Sequence, residues 1–119
     1  FAGCAEKGPE RTIVSGEVTF QGQPVRHGTI RFTPQEGTSA PSSGGYIVDG
    51  RYKIDQRGGV PVGKHRIEVE AYRARNLPAD ADVSDARDQY LPDKFNAEST
   101  MTLEIPPGTK EIEHSLDLK

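Results

Sequence analysis

The chain has no tryptophan, a single cysteine and a single methionine, and only 33 % of its 119 residues are apolar. A lone cysteine, Cys4, rules out an internal disulfide, so strand pairing and packing must hold the fold together. No run approaches the roughly 20 apolar residues needed to cross a bilayer, and none reads as the hydrophobic segment of a secretory signal. An excess of positive charge is also missing: 15 Lys and Arg stand against 18 Asp and Glu, a net charge of -3 with the signs interspersed. That balance argues against a nucleic-acid-binding surface. What the chain has in quantity is turn chemistry. Its 13 Gly and 9 Pro fall between short alternating runs, where an all-β chain needs them.

Those runs carry the fold. Val14, Val18 and Phe20, then Ile30 and Phe32, place apolar side chains at even spacing with polar ones between, and Gly22-Gln23-Pro24 separates the two halves. Tyr46-Ile47-Val48 and Arg51 to Asp55 flank Asp49-Gly50, a two-residue hairpin signal. His65, Ile67, Val69 and Ala71 alternate with Arg66, Glu68, Glu70 and Tyr72; Met101, Leu103 and Ile105 follow, and Ile112, His114, Leu116 and Leu118 point inward from the last strand. This pattern predicts an all-β chain: an antiparallel Greek-key β-sandwich of about seven strands. Residues 1–11 read as an anchor and tether, residues 12–119 as one domain. The expected core is Val14, Val18, Phe20, Ile30, Phe32, Tyr52, Ile54, Ile67, Val69, Met101, Leu103, Ile112, Leu116 and Leu118. Residues 73–98 form a connection far longer than a hairpin needs. Within it residues 79–90 suggest one or two helical turns with Ser84 as N-cap. A mobile tip over 79–88 is expected on a base, Tyr90 to Asn96, docked through Tyr90, Leu91, Pro92 and Phe95.

The order of motifs resembles the transthyretin-like, carboxypeptidase-regulatory-like β-sandwich domains of small planctomycete-type bacterial lipoproteins, an immunoglobulin-like architecture. The likeness rests on Val14-Ser15-Gly16-Glu17-Val18-Thr19-Phe20 with Gly22-Gln23-Pro24-Val25, Gly28-Thr29-Ile30-Arg31-Phe32-Thr33-Pro34 and Asp49-Gly50-Arg51-Tyr52. It continues through Pro61-Val62-Gly63-Lys64-His65-Arg66-Ile67, Leu91-Pro92-Asp93-Lys94-Phe95-Asn96 and Ser99-Thr100-Met101-Thr102-Leu103. Phe1-Ala2-Gly3-Cys4 resembles the end of a lipoprotein signal, in which the cysteine is lipidated; an incidental cysteine is the alternative. The resemblance implies a non-enzymatic module held at the cell envelope, periplasmic or on the outer surface, by a lipid on Cys4, with a binding or structural role and no assigned cofactor. Its partners are then the membrane and an unidentified protein or carbohydrate. Position 65 is more often Tyr in such relatives, so His65 departs from the pattern.

No elbow for a nucleophilic serine, no phosphate loop and no zinc-protease motif is present. Transthyretin-like hydroxyisourate hydrolases share the architecture but finish Tyr-Arg-Gly-Ser, where this chain reads Leu116-Asp117-Leu118-Lys119, which makes a hydrolase the remotest alternative. His65 and His114 occupy apolar-face positions and invite a metal reading, but the inward residues around them, Ile67, Ile112 and Leu116, donate nothing. Core histidines and no metal are expected. Asp80, Asp82, Asp85 and Asp88 lack the fixed spacing and central Gly of a calcium loop and read as solvated. Tyr72, Tyr90 and Phe95 remain as candidate binding residues for a small molecule or carbohydrate: an exposed aromatic platform would favour that role, and full burial a structural one.

Overall fold

The computed structural model describes residues 10–35, 40–74 and 87–119, with the backbone alone at residues 73, 74, 87 and 88. Among the described residues eleven strands form: β1 (Arg11–Phe20), β2 (Gln23–Pro24), β3 (His27–Pro34), β4 (Ser43–Val48), β5 (Arg51–Ile54), β6 (Val60–Pro61), β7 (Gly63–Ala74), β8 (Arg87–Gln89), β9 (Thr102–Ile105), β10 (Glu111–Glu113) and β11 (Leu116–Leu118). They form one hydrogen-bonded network along the path β10-β1-β5-β4-β3-β7-β8, with β2, β6 and β11 on β1 and β9 on β7. β3, β4 and β5 follow one another as antiparallel neighbours, and β1 lies beside β5. The spatial order β1-β5-β4-β3 is a Greek key. The expected all-β antiparallel architecture is therefore what forms. The four segments beyond seven are β2, β6, β8 and the division of the last strand.

Alternation sets which face is inside. Val14 and Val18 of β1, Ile30 and Phe32 of β3, and Ile67, Val69 and Ala71 of β7 are each at most 1 % exposed, and Tyr52 and Ile54 of β5 join them. The sheet curls so that this face meets itself. Phe20, Met101, Leu103 and Ile112, expected in the core, pack against its rim and are only partly buried. Val25, Ile47, Val60, Leu91, Phe95 and Ile105 add to the core from shorter segments. At the β4–β5 hairpin, Asp49 and Gly50 both take positive φ, 51° and 82°, and Gln21-Gly22 repeats this between β1 and β2 at 54° and 82°. Positive φ at both central positions matches the turn to the twist of the strands.

Two parts depart from the sequence reading. The last strand is two pieces, both parallel to β1: β10 pairs Val14 with Ile112, and β11 pairs Val18 with Leu116. Between them His114 N–H donates to the Ser15 carbonyl at 2.7 Å, the Ser115 hydroxyl accepts from Glu17 N–H at 3.1 Å, and Tyr52 OH donates to the His114 carbonyl. Pairing to the first strand brings the C-terminal run alongside it without a hairpin, which sequence alternation alone does not specify.

The second departure is the long connection. β7 runs to Ala74, and Arg87–Gln89 is strand β8, antiparallel to it, instead of the end of a helical turn. Of the turns suggested over residues 79–90, residues 79–86 with Ser84 lie outside the described residues, as does the greater part of the proposed tip. The base is docked. Leu91 and Phe95 are 3 % and 8 % exposed, and Asp93–Phe95 makes a short 3₁₀ turn.

That base also covers a sheet edge. β9 pairs with β7 only over Gly63 to Arg66, so the next stretch of β7 would show bare backbone. Instead Ile67 N–H reaches the Met101 carbonyl at 2.8 Å, the Ser99 hydroxyl donates to the Ile67 carbonyl, and Asn96 Nδ2 donates to the Val69 carbonyl at 3.3 Å. Gln89 Oε1 then accepts Ala71 N–H at 3.3 Å, and Tyr90 N–H donates to the Ala71 carbonyl at 3.0 Å. Three polar side chains thus stand where a neighbouring strand would. Asn96 and Ser99 are buried for that reason.

Candidate functional site

The end of β1, the β2 turn and the far end of β7 enclose an open groove of about 570 Å³, lined by Phe20, Gln21, Gln23, Pro24, Arg26, His27, Tyr72 and Tyr90. Each wall follows from the fold. Tyr72 sits on the outward side of β7, with its hydroxyl donating to Glu70 Oε1 at 2.7 Å. Tyr90 is positioned by its backbone bond to Ala71, at the entrance to the docked base. Phe20 ends β1, its ring 6.1 Å from that of Tyr90 and 6.0 Å, edge-on, from that of Phe95. The Gln21-Gly22 turn then holds two amide side chains, Gln21 and Gln23, at the rim. Arg26 and His27 complete it, Arg26 being 74 % exposed and only loosely paired, at 3.7 Å, with Asp49.

Of the three aromatic residues singled out from sequence, two line this groove. Tyr72 and Tyr90 are half-buried there. Phe95 is not a groove residue: it lies beneath, in the core, with Lys94 Nζ 5.0 Å from its ring centre. Its sequence neighbours do not explain that difference, because burial follows from the 3₁₀ turn. Phe20 was missed as a wall for a related reason. Alternation assigned it wholly to the core, whereas the end of a strand is where an inward side chain can show one face. Cys4 lies outside the described residues, as do Asp80, Asp82 and Asp85; Asp88 falls in β8.

A second groove, of about 610 Å³, lies over the outward face of β4, β3 and β7 and includes Thr29, Arg31, Gly44, Tyr46, Gln56, Glu68, Glu70 and Asn96. Its floor is a charge network. Glu68, 13 % exposed, accepts from Arg31 at 3.1 Å and from Thr33 at 3.3 Å through one oxygen, and from Arg66 at 2.9 Å through the other. Arg66 reaches on to the Ser99 carbonyl at 3.2 Å, tying the docked base to the sheet. Donors from three side chains, Arg31 and Thr33 of β3 and Arg66 of β7 itself, fix Glu68 as a structural centre.

The two histidines have separate surroundings. His65 is fully buried; its Nε2 lies 2.7 Å from the Pro61 carbonyl, its ring stands edge-on to Phe32 at 6.3 Å, and its Nδ1 has no partner. His114 is half-buried beside β1. Among the described residues no three His, Cys, Asp or Glu side chains gather as a metal site would require. Burial lowers both pKa values below the ordinary 6.5, opposed in His65 by the bond to Pro61. A neutral His65 donates from Nε2, and a second proton would place an N–H at Nδ1 with nothing to accept it.

The sign of the pH dependence follows. With folded-state values depressed, the folded protein binds fewer protons than the unfolded chain. The contribution is complete above 6.5, the unfolded value, and is lost as pH falls through the lower folded values. The urea midpoint should therefore hold steady above neutrality and decline as pH falls below about 6.5, before most carboxylates titrate. His65→Gln, which keeps a donor for Pro61, should remove a large part of that slope. A flat midpoint across this window, or an unchanged slope in the variant, would contradict the assignment. Tyr52 titrates in the opposite direction. Its burial, with the Glu113 carboxylate nearby, holds the phenol protonated far above its usual range, as its donation to His114 requires.

No protein-family model and no curated protein matches the chain. Among solved structures, a 9R-lipoxygenase from Cyanothece aligns with it at 14 % identity and a TM-score of 0.41. The alignment covers 90 % of this chain and 16 % of the length of that protein. Similarity at that level identifies neither a family nor an activity.

Proposed function

We propose that this domain is a non-enzymatic binding module carried at the cell envelope by a lipid on Cys4, and that its ligand is a carbohydrate held in the groove of Phe20, Tyr72 and Tyr90. The observation that carries the binding role is the partial exposure of two tyrosines in one concavity, at the edge of an otherwise closed core. Rings with a purely structural role bury both faces, as Phe95 does. The composition of the lining narrows the ligand. A wholly apolar molecule would strip water from Gln21, Gln23, Arg26 and His27 without replacing their hydrogen bonds. A sugar offers a C–H face to the rings and hydroxyls to the amide and cationic rim.

The envelope half of the reading is supported by the likeness of the motif order to transthyretin-like lipoprotein domains and by Phe1-Ala2-Gly3-Cys4. A net charge of -3 gives the domain no affinity of its own for an anionic bilayer, so the lipid has to supply attachment. Expressed in a bacterial host with a functional lipoprotein leader, the protein should fractionate with membranes, and Cys4→Ser should move it to the soluble fraction. Unchanged partition, or an intact mass without acyl chains, would defeat this. For the groove, Tyr90→Ala should weaken oligosaccharide binding at least tenfold in a ¹⁵N NMR titration, with the unfolding transition still cooperative. Shifts confined to residues away from Phe20, Tyr72 and Tyr90 would show that the groove is not the site.

A further inference from the structure

Tyr46 is 76 % exposed and Val48 is 55 % exposed, both on the outward side of β4. Outward positions of a half-buried sheet are ordinarily polar, as Arg51 and Lys53 are on the adjoining β5. Register shows what Tyr46 faces. It pairs with Thr29 of β3, which pairs in turn with Glu70 of β7, so ring, hydroxyl and carboxylate form one row across three strands. On one side of that row is Gly44, where an added Cβ would come within 2.8 Å of the Ile30 carbonyl oxygen. Position 44 therefore carries no side chain to screen the ring from that direction.

The row belongs to the second groove, and that groove adjoins the first. Glu70 lines one and Tyr72 the other, and their side chains are joined by the 2.7 Å hydrogen bond. Thr29 and His27, likewise one in each, are alternate residues of β3. Tyr46 and Tyr72 are separated by two strand spacings and by about two residues along the strands, roughly 12 Å between Cα positions. One pyranose ring cannot touch both. Between them lie groups suited to sugar hydroxyls, Thr29 OH and the Glu70 carboxylate; the Arg31 guanidinium, anchored on Glu68 at 3.1 Å, lies just beyond Tyr46 in the row of Gly44 and Glu68.

We infer that the two grooves form a single track for an extended glycan of at least three sugar units, with Tyr46 as a distal stacking platform. This rests on the carbohydrate reading of the first groove and adds the length of the ligand. The rings supply stacking at the two ends, and the polar row between them fixes register. Linking two contacts through one ligand makes the second intramolecular, so affinity should climb steeply once the chain reaches Tyr46.

The experiment is a titration of the purified domain with β-1,4-linked glucose and N-acetylglucosamine oligomers of one to six units, followed by ¹⁵N NMR and calorimetry. Affinity should rise at least tenfold between the disaccharide and the tetrasaccharide, with shifts spreading to Thr29 and Tyr46 only for the longer ligands. Tyr46→Ala, a change at an exposed ring that leaves packing intact, should abolish that increment and leave disaccharide binding unaltered. Tyr90→Ala should weaken every length. If Tyr46→Ala binds the tetrasaccharide like the parent while Tyr90→Ala does not, the extended track is wrong and the first groove stands. Absence of binding at all lengths would overturn both.

Discussion

Phe32→Ala should lower the unfolding free energy by about 3 to 5 kcal/mol, the range for removing a fully buried phenylalanine. Phe32 is 0 % exposed on β3, in register with Ile67 on one side and Ser43 on the other, with the His65 ring edge-on to it. Truncation removes the transfer free energy of the ring and leaves a cavity that the surrounding strands can close only in part, since each is fixed by its ladder. Domains of this size are stable by about 5 to 15 kcal/mol, so the loss is a large share of the whole. Urea denaturation would measure it, with Tyr46→Ala as the control expected to change stability by no more than about 0.5 kcal/mol. A Phe32→Ala loss under about 1 kcal/mol would mean that the inward face is misassigned.

The control and the variant differ in one respect that the sequence displays. Both are aromatic residues in alternating runs, but Phe32 shares its parity with Gly28 and Ile30, whereas Tyr46 is out of step with Ile47. Even spacing made the inner face of β1, β3, β5 and β7 readable, because a strand with one buried face has no other way to pattern its side chains. It was less informative at strand ends. Phe20, Met101, Leu103 and Ile112 have the right parity yet sit at the rim, where the curled sheet opens. Val25, Val60 and Leu91 are buried without belonging to any alternating run. Their burial comes from the curl, which no local pattern encodes.

The groove was legible only in part. Tyr72 and Tyr90 stand out as large rings flanking a long connection, and the structure brings them together with Phe20. What assembles them is the docked base, whose polar members do work that a single sequence conceals. Gln89, Asn96 and Ser99 look like solvated loop residues, and their role as substitutes for a missing strand depends on which backbone groups of β7 they meet. Tyr46 carries no such signal in the sequence, because an aromatic residue next to a hairpin is unremarkable until its exposure is known.

The other large effect is expected at Gly59. Gly59→Ala should prevent stable folding, or cost at least about 3 kcal/mol, because two independent penalties fall on one atom. The first is conformational: Gly59 has φ 113° and ψ -148°, a region that is essentially closed to residues with a Cβ. The second is spatial. A Cβ there would overlap the Thr12 carbonyl and lie 2.7 Å from the nitrogen of Ile13, both backbone atoms of β1. Neither can give way, since Thr12 pairs with Val60, its side chain is fully buried, and its hydroxyl donates to the Thr109 carbonyl at 2.7 Å. The Gly59 carbonyl is itself held, accepting from Arg11 Nη1 at 3.0 Å. Moving Gly59 would therefore separate β6 from β1 at the point where the chain turns into β7. Gly22→Ala supplies the comparison: φ is also positive there, at 82°, but nothing lies within 4 Å of an added Cβ, so only the conformational penalty applies. Circular dichroism and urea melts should place Gly22→Ala within about 1 to 2 kcal/mol of the parent, with Gly59→Ala far below both. Equal losses at the two glycines would show that the close approach of β1 does not control this corner of the fold.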